Sequence, residues 1–218
     1  MRPYYEDGLV TLYHGDCREI LPSLGRFGLL LSDPPYGMDY QHGARKGGVK
    51  LGMDGESIIG DDTPFDPSHL FGIADRMILW GGNHFASRLP DSRGWLIWDK
   101  RDGTPSNDQS DCELAWTDCL ATARVFSARW SGGHRTGREQ AEGRVHVNQK
   151  PVALMSWCLG RVIPVPARVV DPYAGSGPTL IACKEAGIPA VGIEIVERHC
   201  ANAAERLSQN VLDLGGAA

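Results

Sequence analysis

Two short stretches of this chain put acids beside rigid or very small residues, in patterns that could handle a ligand. The first is Ser32-Asp33-Pro34-Pro35-Tyr36-Gly37, preceded by the apolar run Leu29-Leu30-Leu31. A short apolar run bounded by breakers suits a buried strand of a parallel sheet. The two prolines have no N–H to donate and hold φ near about −65°, so the chain must leave the sheet there. Asp33 and Tyr36 would then stand on a stiff rim at the strand's carboxyl end, where open α/β sheets receive their ligands. Asp-Pro and Pro-Tyr-Gly are also ordinary turn chemistry, so the motif alone leaves a plain surface turn open.

The second stretch is Asp171-Pro172-Tyr173-Ala174-Gly175-Ser176-Gly177, after the strand-like Arg168-Val169-Val170. Helical sequence from Pro178 to Ala186, closed by Gly187, follows it; then come a strand over Ala190–Ile193 and Glu194. Strand, glycine turn, helix, strand and acid form a nucleotide-binding half-unit, in which the acid can accept from two ribose hydroxyls. A phosphate-loop NTPase requires Lys and then Ser or Thr after its last glycine, and Pro178-Thr179 stands there instead. A dinucleotide fingerprint requires a third glycine at position 180, which is Leu. Asp171 beside the turn would repel a pyrophosphate but could hold an ammonium. A ligand with a ribose, a positive amine and no phosphate fits, and S-adenosylmethionine is such a ligand.

The elements needed to position these turns can be read along the chain. Val10–His14 reads as a strand ending at Gly15-Asp16, followed by a short helix through Ile20 and Leu24. Residues 38–66 carry many Gly and Asp with little periodicity, and a loop this long in a compact domain suggests a lid or a substrate-contacting loop. Helical spacing at Leu70, Ile73 and Met77 leads into a strand over Met77–Trp80, and Gly94–Trp98 reads as another. Glu113–Trp116 and Ala123–Phe126 are candidates for an edge pair, and Ser127–Asn148 is placed as a loop. Pro151–Gly160 suits a helix, as do residues 197–209, where Cys200, Ala203, Ala204 and Leu207 share a face. Alternating strands and helices predict a doubly wound, mostly parallel α/β sheet in a single domain over 1–218.

Composition narrows the class further. No apolar run is long enough to cross a bilayer and no signal-peptide pattern opens the chain, so a cytoplasmic protein is expected. The six cysteines are scattered without zinc spacing and read as free thiols, with no metal site. Net charge is −5, yet between residues 124 and 150 six cations face only Glu139 and Glu142. Arg45, Lys46 and Lys50 make a second acid-free basic stretch. Such asymmetry is expected of a phosphate-facing surface on an otherwise acidic protein, and equally of solvated loops.

Taken in order, Ser32–Gly37, His146-Val147-Asn148-Gln149-Lys150-Pro151 and Asp171–Gly177 resemble the β-class DNA amino-methyltransferases, in which the catalytic motif precedes the cofactor motif. The resemblance spans nearly the whole chain, including Tyr13–Cys17 and Trp95–Lys100, and its short length is similar to small phage or prophage members. It implies a circularly permuted, seven-stranded Rossmann-like sheet, S-adenosylmethionine as cofactor, and base flipping in double-stranded DNA. Asp33 and the Pro34 carbonyl would accept from an exocyclic amine and Tyr36 would stack on the flipped base. The cofactor would be held by Asp16, Cys17, Asp33, Lys150, Asp171, Tyr173, Gly175, Ser176, Gly177, Thr179, Glu194 and Ile195. DNA would meet Arg45, Lys46, Lys50, Arg129, Arg135, Arg138 and Arg144, on loops 38–66 and 127–148. Asp33, where cytosine-N4 enzymes more often carry Ser, favours adenine N6, with cytosine N4 or a non-catalytic binding subunit as alternatives. A homodimer and a cognate restriction enzyme are further partners consistent with the resemblance. Val147, Asn148, Tyr173 and Pro178 depart from the family's usual residues, and the interval that would read DNA sequence is short.

Overall fold

The structure, a computed structural model, describes residues 1–38, 59–104, 110–131, 134–135 and 150–213. Its frame is one sheet built from β1 (Tyr5–Glu6), β2 (Val10–His14), β3 (Leu29–Ser32), β4 (Met77–Trp80), β5 (Gly94–Asp99), β6 (Cys112–Thr117), β7 (Arg124–Ser127), β10 (Val169–Asp171) and β11 (Ala190–Glu194). Trp130–Ser131 (β8) and His134–Arg135 (β9) pair separately as an antiparallel ribbon inside the stretch expected to be a loop. The helices are α1 (Cys17–Ile20), α2 (Val152–Leu159), α3 (Pro178–Glu185) and α4 (Glu197–Asp213).

Strand order is β1-β2-β11-β10-β3-β4-β6-β5-β7. The run from β2 to β5 makes seven strands, β7 over the expected Ala123–Phe126 segment makes one edge, and the two-residue β1 is added at the other. Within that run every pairing is parallel except the two made by β6, which is antiparallel to both β4 and β5. The late strand β10 lies at the centre between β11 and β3, which is the permuted order. Glu113–Trp116 and Ala123–Phe126 do not form an edge pair. The first lies in β6, an interior strand, and the second in β7, which runs parallel to β5. The apolar content of Ala115 and Trp116, both buried, matches an interior position.

Alternation along the strands supplies two separate cores. Leu29 and Leu31 of β3, with Ile78 and Trp80 of β4, pack on the face covered by α2, α3 and α4. Leu30, Met77 and Leu79 point to the other face, with Phe27, Phe65, Leu70 and Phe85. That second face is closed by α1 and by short 3-10 turns, among them Pro67–Leu70 and Ala86–Arg88. No α-helix forms through Leu70, Ile73 and Met77; Gly72 takes a φ of 82° and breaks the run. Fully buried leucines such as Leu29, Leu30 and Leu31 contribute about 2 kcal/mol each.

On α4, Cys200, Ala203 and Leu207 are fully buried as expected, while Ala204 is half-buried and the buried Arg206 takes the neighbouring place. Leu180 in α3 occupies the position where a dinucleotide fold has glycine. Its Cδ1 lies where a Cβ on Gly192 of β11 would come within 2.5 Å. The close approach of helix and strand is therefore provided by the strand's glycine. Cys17, Cys158, Cys183 and Cys200 are buried free thiols, and Cys112 and Cys119 are half-buried ones.

Candidate active site

The two motif turns leave neighbouring strand ends and are joined directly. Ser32 Oγ donates to Asp171 Oδ1 at 2.6 Å, tying the end of β3 to the end of β10. The same oxygen accepts the Tyr173 N–H at 3.1 Å. Burial raises the Asp171 carboxyl to about 6, even though the Ser32 and Thr179 hydroxyls and the Tyr173 N–H all pull it down. Asp171 thus acts inside the fold as the link between the turns.

Past Ser32 the chain turns out of the sheet, and Asp61 fixes that turn. Its Oδ1 accepts from the N–H groups of Tyr36, Gly37 and Met38 at 3.0, 2.8 and 3.2 Å. Asp61 is buried, and removing its oxygen takes the acceptor from three N–H groups, two of them on the half-buried Tyr36 and Gly37. Asp61→Ala should cost about 3 kcal/mol of folding stability, whereas Asp61→Asn, which keeps an oxygen there, should recover more than half of it. Denaturant unfolding of the two variants measures both values.

The Tyr36 ring stacks on His84, centroids 4.9 Å apart and planes 13° from parallel. Its hydroxyl donates to Asp33 Oδ1 at 2.5 Å. Lys150 Nζ donates to Asp33 Oδ2 at 2.6 Å and to the Tyr36 hydroxyl at 3.0 Å. The same ammonium lies 2.9 Å from Glu113 Oε2, and Lys100 Nζ donates to Glu113 Oε1 at 3.1 Å. Glu113 reaches this rim because β6 is antiparallel, so its first residues stand where β4 and β5 end. Burial would raise the Glu113 carboxyl, but Lys150 and Lys100 outweigh it and hold it at about 2. Burial pushes Asp33 up; Lys150 opposes this and Glu113 adds to it. Lys150 is well above the ordinary lysine range despite its burial, because Asp33, Glu113 and Tyr36 all favour the ammonium.

On the cofactor side, β2 and β11 run in register with His14 opposite Glu194, and His14 Nε2 lies 3.1 Å from the Ile195 carbonyl oxygen. Glu194 accepts from the Gly175 N–H through Oε2 and from the Val196 N–H through Oε1, each at 2.8 Å. Burial would raise its carboxyl, but His199 and these two N–H groups hold it below the usual range. A Cβ on Gly175 would meet nothing within 4 Å, so the glycine turn opens onto free space beside Glu194. Ile195 is 43% exposed at the same edge, an apolar surface for a flat ring. Asp16, half-buried, caps α1 by accepting the Arg18 N–H at 2.8 Å. A backbone cradle, a buried acid and an exposed aliphatic side chain suit a nucleoside ligand carrying no phosphate.

Other expected cofactor residues take different places. Ser176 and Thr179 are buried, Ser176 beneath Arg206, whose guanidinium donates to the Ser176 carbonyl at 2.8 Å. The Tyr173 hydroxyl, a group phenylalanine would not bring, is 2.8 Å from His69 Nε2, with Cys17 Sγ 4.0 Å from the same nitrogen. Lys150 spends its ammonium on Asp33, Tyr36 and Glu113. Of the expected DNA contacts, Arg129 is exposed just after β7 and Arg135 lies on β9. Arg45, Lys46, Lys50, Arg138 and Arg144 lie outside the described residues, as does most of the 38–66 loop. Sequence reasoning did not single out Asp61, Glu113, His69 or His84.

A permuted, mostly parallel sheet that carries its two motif turns on neighbouring, hydrogen-bonded strand ends has a Rossmann-like fold. The family model described as DNA methylase, covering N6 and N4 enzymes, matches residues 91–205. The chain belongs to this family, the S-adenosylmethionine-dependent DNA amino-methyltransferases. The Type II methyltransferase M.ScaI of Streptomyces caespitosus is 25% identical over 265 residues, covering 98% of this chain and 86% of that protein. The crystal structure of an M1.HpyAVI–SAM complex shares the fold with a TM-score of 0.55 and 20% identity, covering 91% of this chain and all of that one. The PvuII cytosine-N4-specific DNA methyltransferase does so with a TM-score of 0.63 and 13% identity, covering 94% and 88%.

Proposed function

We propose that this chain methylates the exocyclic N6 of adenine in double-stranded DNA, with Asp33, Pro34 and Tyr36 as its catalytic residues. The observation that carries the reading is the Asp33 carboxylate, oriented by Tyr36 and Lys150 at the carboxyl end of β3 and linked to the cofactor turn through Ser32 and Asp171. An exocyclic amine is a poor nucleophile because its lone pair is delocalised into the base. Accepting its two hydrogens at the Asp33 carboxylate and the Pro34 carbonyl favours a pyramidal nitrogen and localises that pair.

The target nitrogen is inaccessible inside a duplex, so the base must leave the stack, and Tyr36 offers it an aromatic surface. Such stacking is worth roughly 1–3 kcal/mol. Glu194 would take the ribose, Ile195 and Asp16 the adenine, and the open side of the 175–177 turn the methionine part of the cofactor. When bound, S-adenosylmethionine supplies an electrophilic methyl group and leaves as S-adenosylhomocysteine. The nitrogen pair forms the new bond to carbon while the carbon–sulfur pair stays on sulfur. The surplus proton on nitrogen then passes to Asp33, whose raised pKa suits that task. Most of the acceleration is orientation and fixed charge.

Arg129 and Arg135, with the basic stretches around Lys46 and Arg138, supply phosphate contacts, and a second copy of the chain would widen the footprint on DNA. The test is base-resolved mapping of methylation in DNA from cells expressing the protein. N6-methyladenine at a fixed sequence is the expected result. N4-methylcytosine would overturn the base assignment, and no new methylation in an otherwise competent preparation would overturn the catalytic reading.

A further inference from the structure

Both oxygens of the Asp33 carboxylate are engaged here, Oδ1 by the Tyr36 hydroxyl and Oδ2 by Lys150. Each oxygen keeps a further lone pair, but one that already accepts from a close ammonium is a weaker acceptor for a base amine, so releasing Lys150 strengthens it. Glu113 stands ready to allow it. Its Oε1 is fixed by Lys100, while Oε2 is screened from solvent and receives no hydrogen bond from the described residues. Lys150 Nζ is only 2.9 Å from that oxygen as an ion pair, while its two hydrogen bonds run to Asp33 and Tyr36. A buried carboxylate oxygen without a donated hydrogen is unfavourable, and that cost is recovered once a donor turns towards it.

We propose that Glu113 is a positioning residue that serves as a second seat for Lys150: as the target amine arrives, the ammonium turns from Asp33 Oδ2 to Glu113 Oε2 and frees Asp33 to accept from the amine. This rests on the reading of Asp33 as the amine's acceptor. The turn needs little travel, because Nζ is within ion-pair distance of both carboxylates already. Lys100 keeps Glu113 from following the ammonium towards Asp33. Glu113, held at about 2, stays ionised at neutral pH, and Lys150 stays protonated throughout. The groups facing Asp33 are Lys150, Glu113 and Tyr36, with the Asp171 carboxyl on the adjoining strand end.

Glu113→Gln keeps the shape but removes the charge of the seat, so Lys150 remains on Asp33. Single-turnover methyl transfer to unmethylated genomic DNA, followed across pH, should slow by about tenfold, the equivalent of one charge-assisted hydrogen bond. The acid limb of the profile should move to lower pH, because Asp33 loses a like charge and keeps the whole of Lys150. S-adenosylmethionine binding by calorimetry should be unchanged, and Glu113→Asp, which restores the charge, should return part of the rate. A wild-type rate with an unmoved acid limb overturns the proposal. So does a slower rate accompanied only by a lower melting temperature, with the limb in place. Asp33→Asn separates the two readings: if it abolishes transfer while Glu113→Gln changes nothing, only the seat is lost, and if it leaves transfer intact the role of Asp33 falls as well.

Discussion

Asp33→Asn should slow methyl transfer by roughly 10³-fold, the scale found when a fixed electrostatic group at a reacting centre is removed. Asparagine keeps an oxygen for the Tyr36 hydroxyl but presents an amide that is far less basic to the amine, and it cannot take the surplus proton. Folding should survive, because Lys150 does not become an orphaned buried charge. It keeps Glu113 at 2.9 Å and the Tyr36 hydroxyl at 3.0 Å. Cofactor binding should survive too, since the Gly175–Glu194 cradle is held by its own backbone hydrogen bonds. Single-turnover kinetics and calorimetry on the same preparation give both quantities. Loss of both would indicate a disturbed fold, and full transfer activity would take Asp33 out of the chemistry.

Much of this arrangement is legible in the amino-acid order, for a physical reason. Strands buried on both faces must be apolar throughout, so β3, β4, β10 and β11 declare themselves, and prolines or glycines mark where each one stops. Asp33 and Glu194 follow from those stops. Glu113 could not be found that way. It precedes an unremarkable apolar triplet, and only the insertion of β6 between β4 and β5, a matter of long-range pairing, carries it to the rim. Asp61 is hidden similarly: its partners are three backbone N–H groups more than twenty residues earlier, and no side-chain pattern signals them. The missing glycine at position 180 had a partial signal, because Gly192 sits in the middle of a strand, where a glycine often marks a close approach. The helical spacing around Leu70 misled because buried residues in a 3-10 turn and its exit can mimic an α-helical stripe.

Gly81→Ala should be second only to the loss of Asp33 in its damage to activity, although Gly81 carries no side chain. It follows β4 with a φ of 72°, and a Cβ there would lie 1.9 Å from Tyr36 Cε1 and 2.3 Å from Cδ1. Ordinary contact begins above 3.4 Å, so the ring must move by more than an ångström. Its hydroxyl cannot move that far and still donate to Asp33 at 2.5 Å. A misplacement of this size at a reacting centre costs about 10²-fold in rate. The backbone strain of alanine at positive φ adds about 1–2 kcal/mol of instability. Gly72→Ala separates these effects, since Gly72 has a φ of 82° but a Cβ there meets nothing within 4 Å. That variant should show a comparable fall in melting temperature with its transfer rate intact. Equal rate losses in the two would assign the defect to strain; a loss confined to Gly81→Ala assigns it to the ring. Tyr36→Phe then divides the ring's contribution from the hydroxyl's, because phenylalanine keeps the stacking surface while giving up both the hydrogen bond to Asp33 and the one accepted from Lys150.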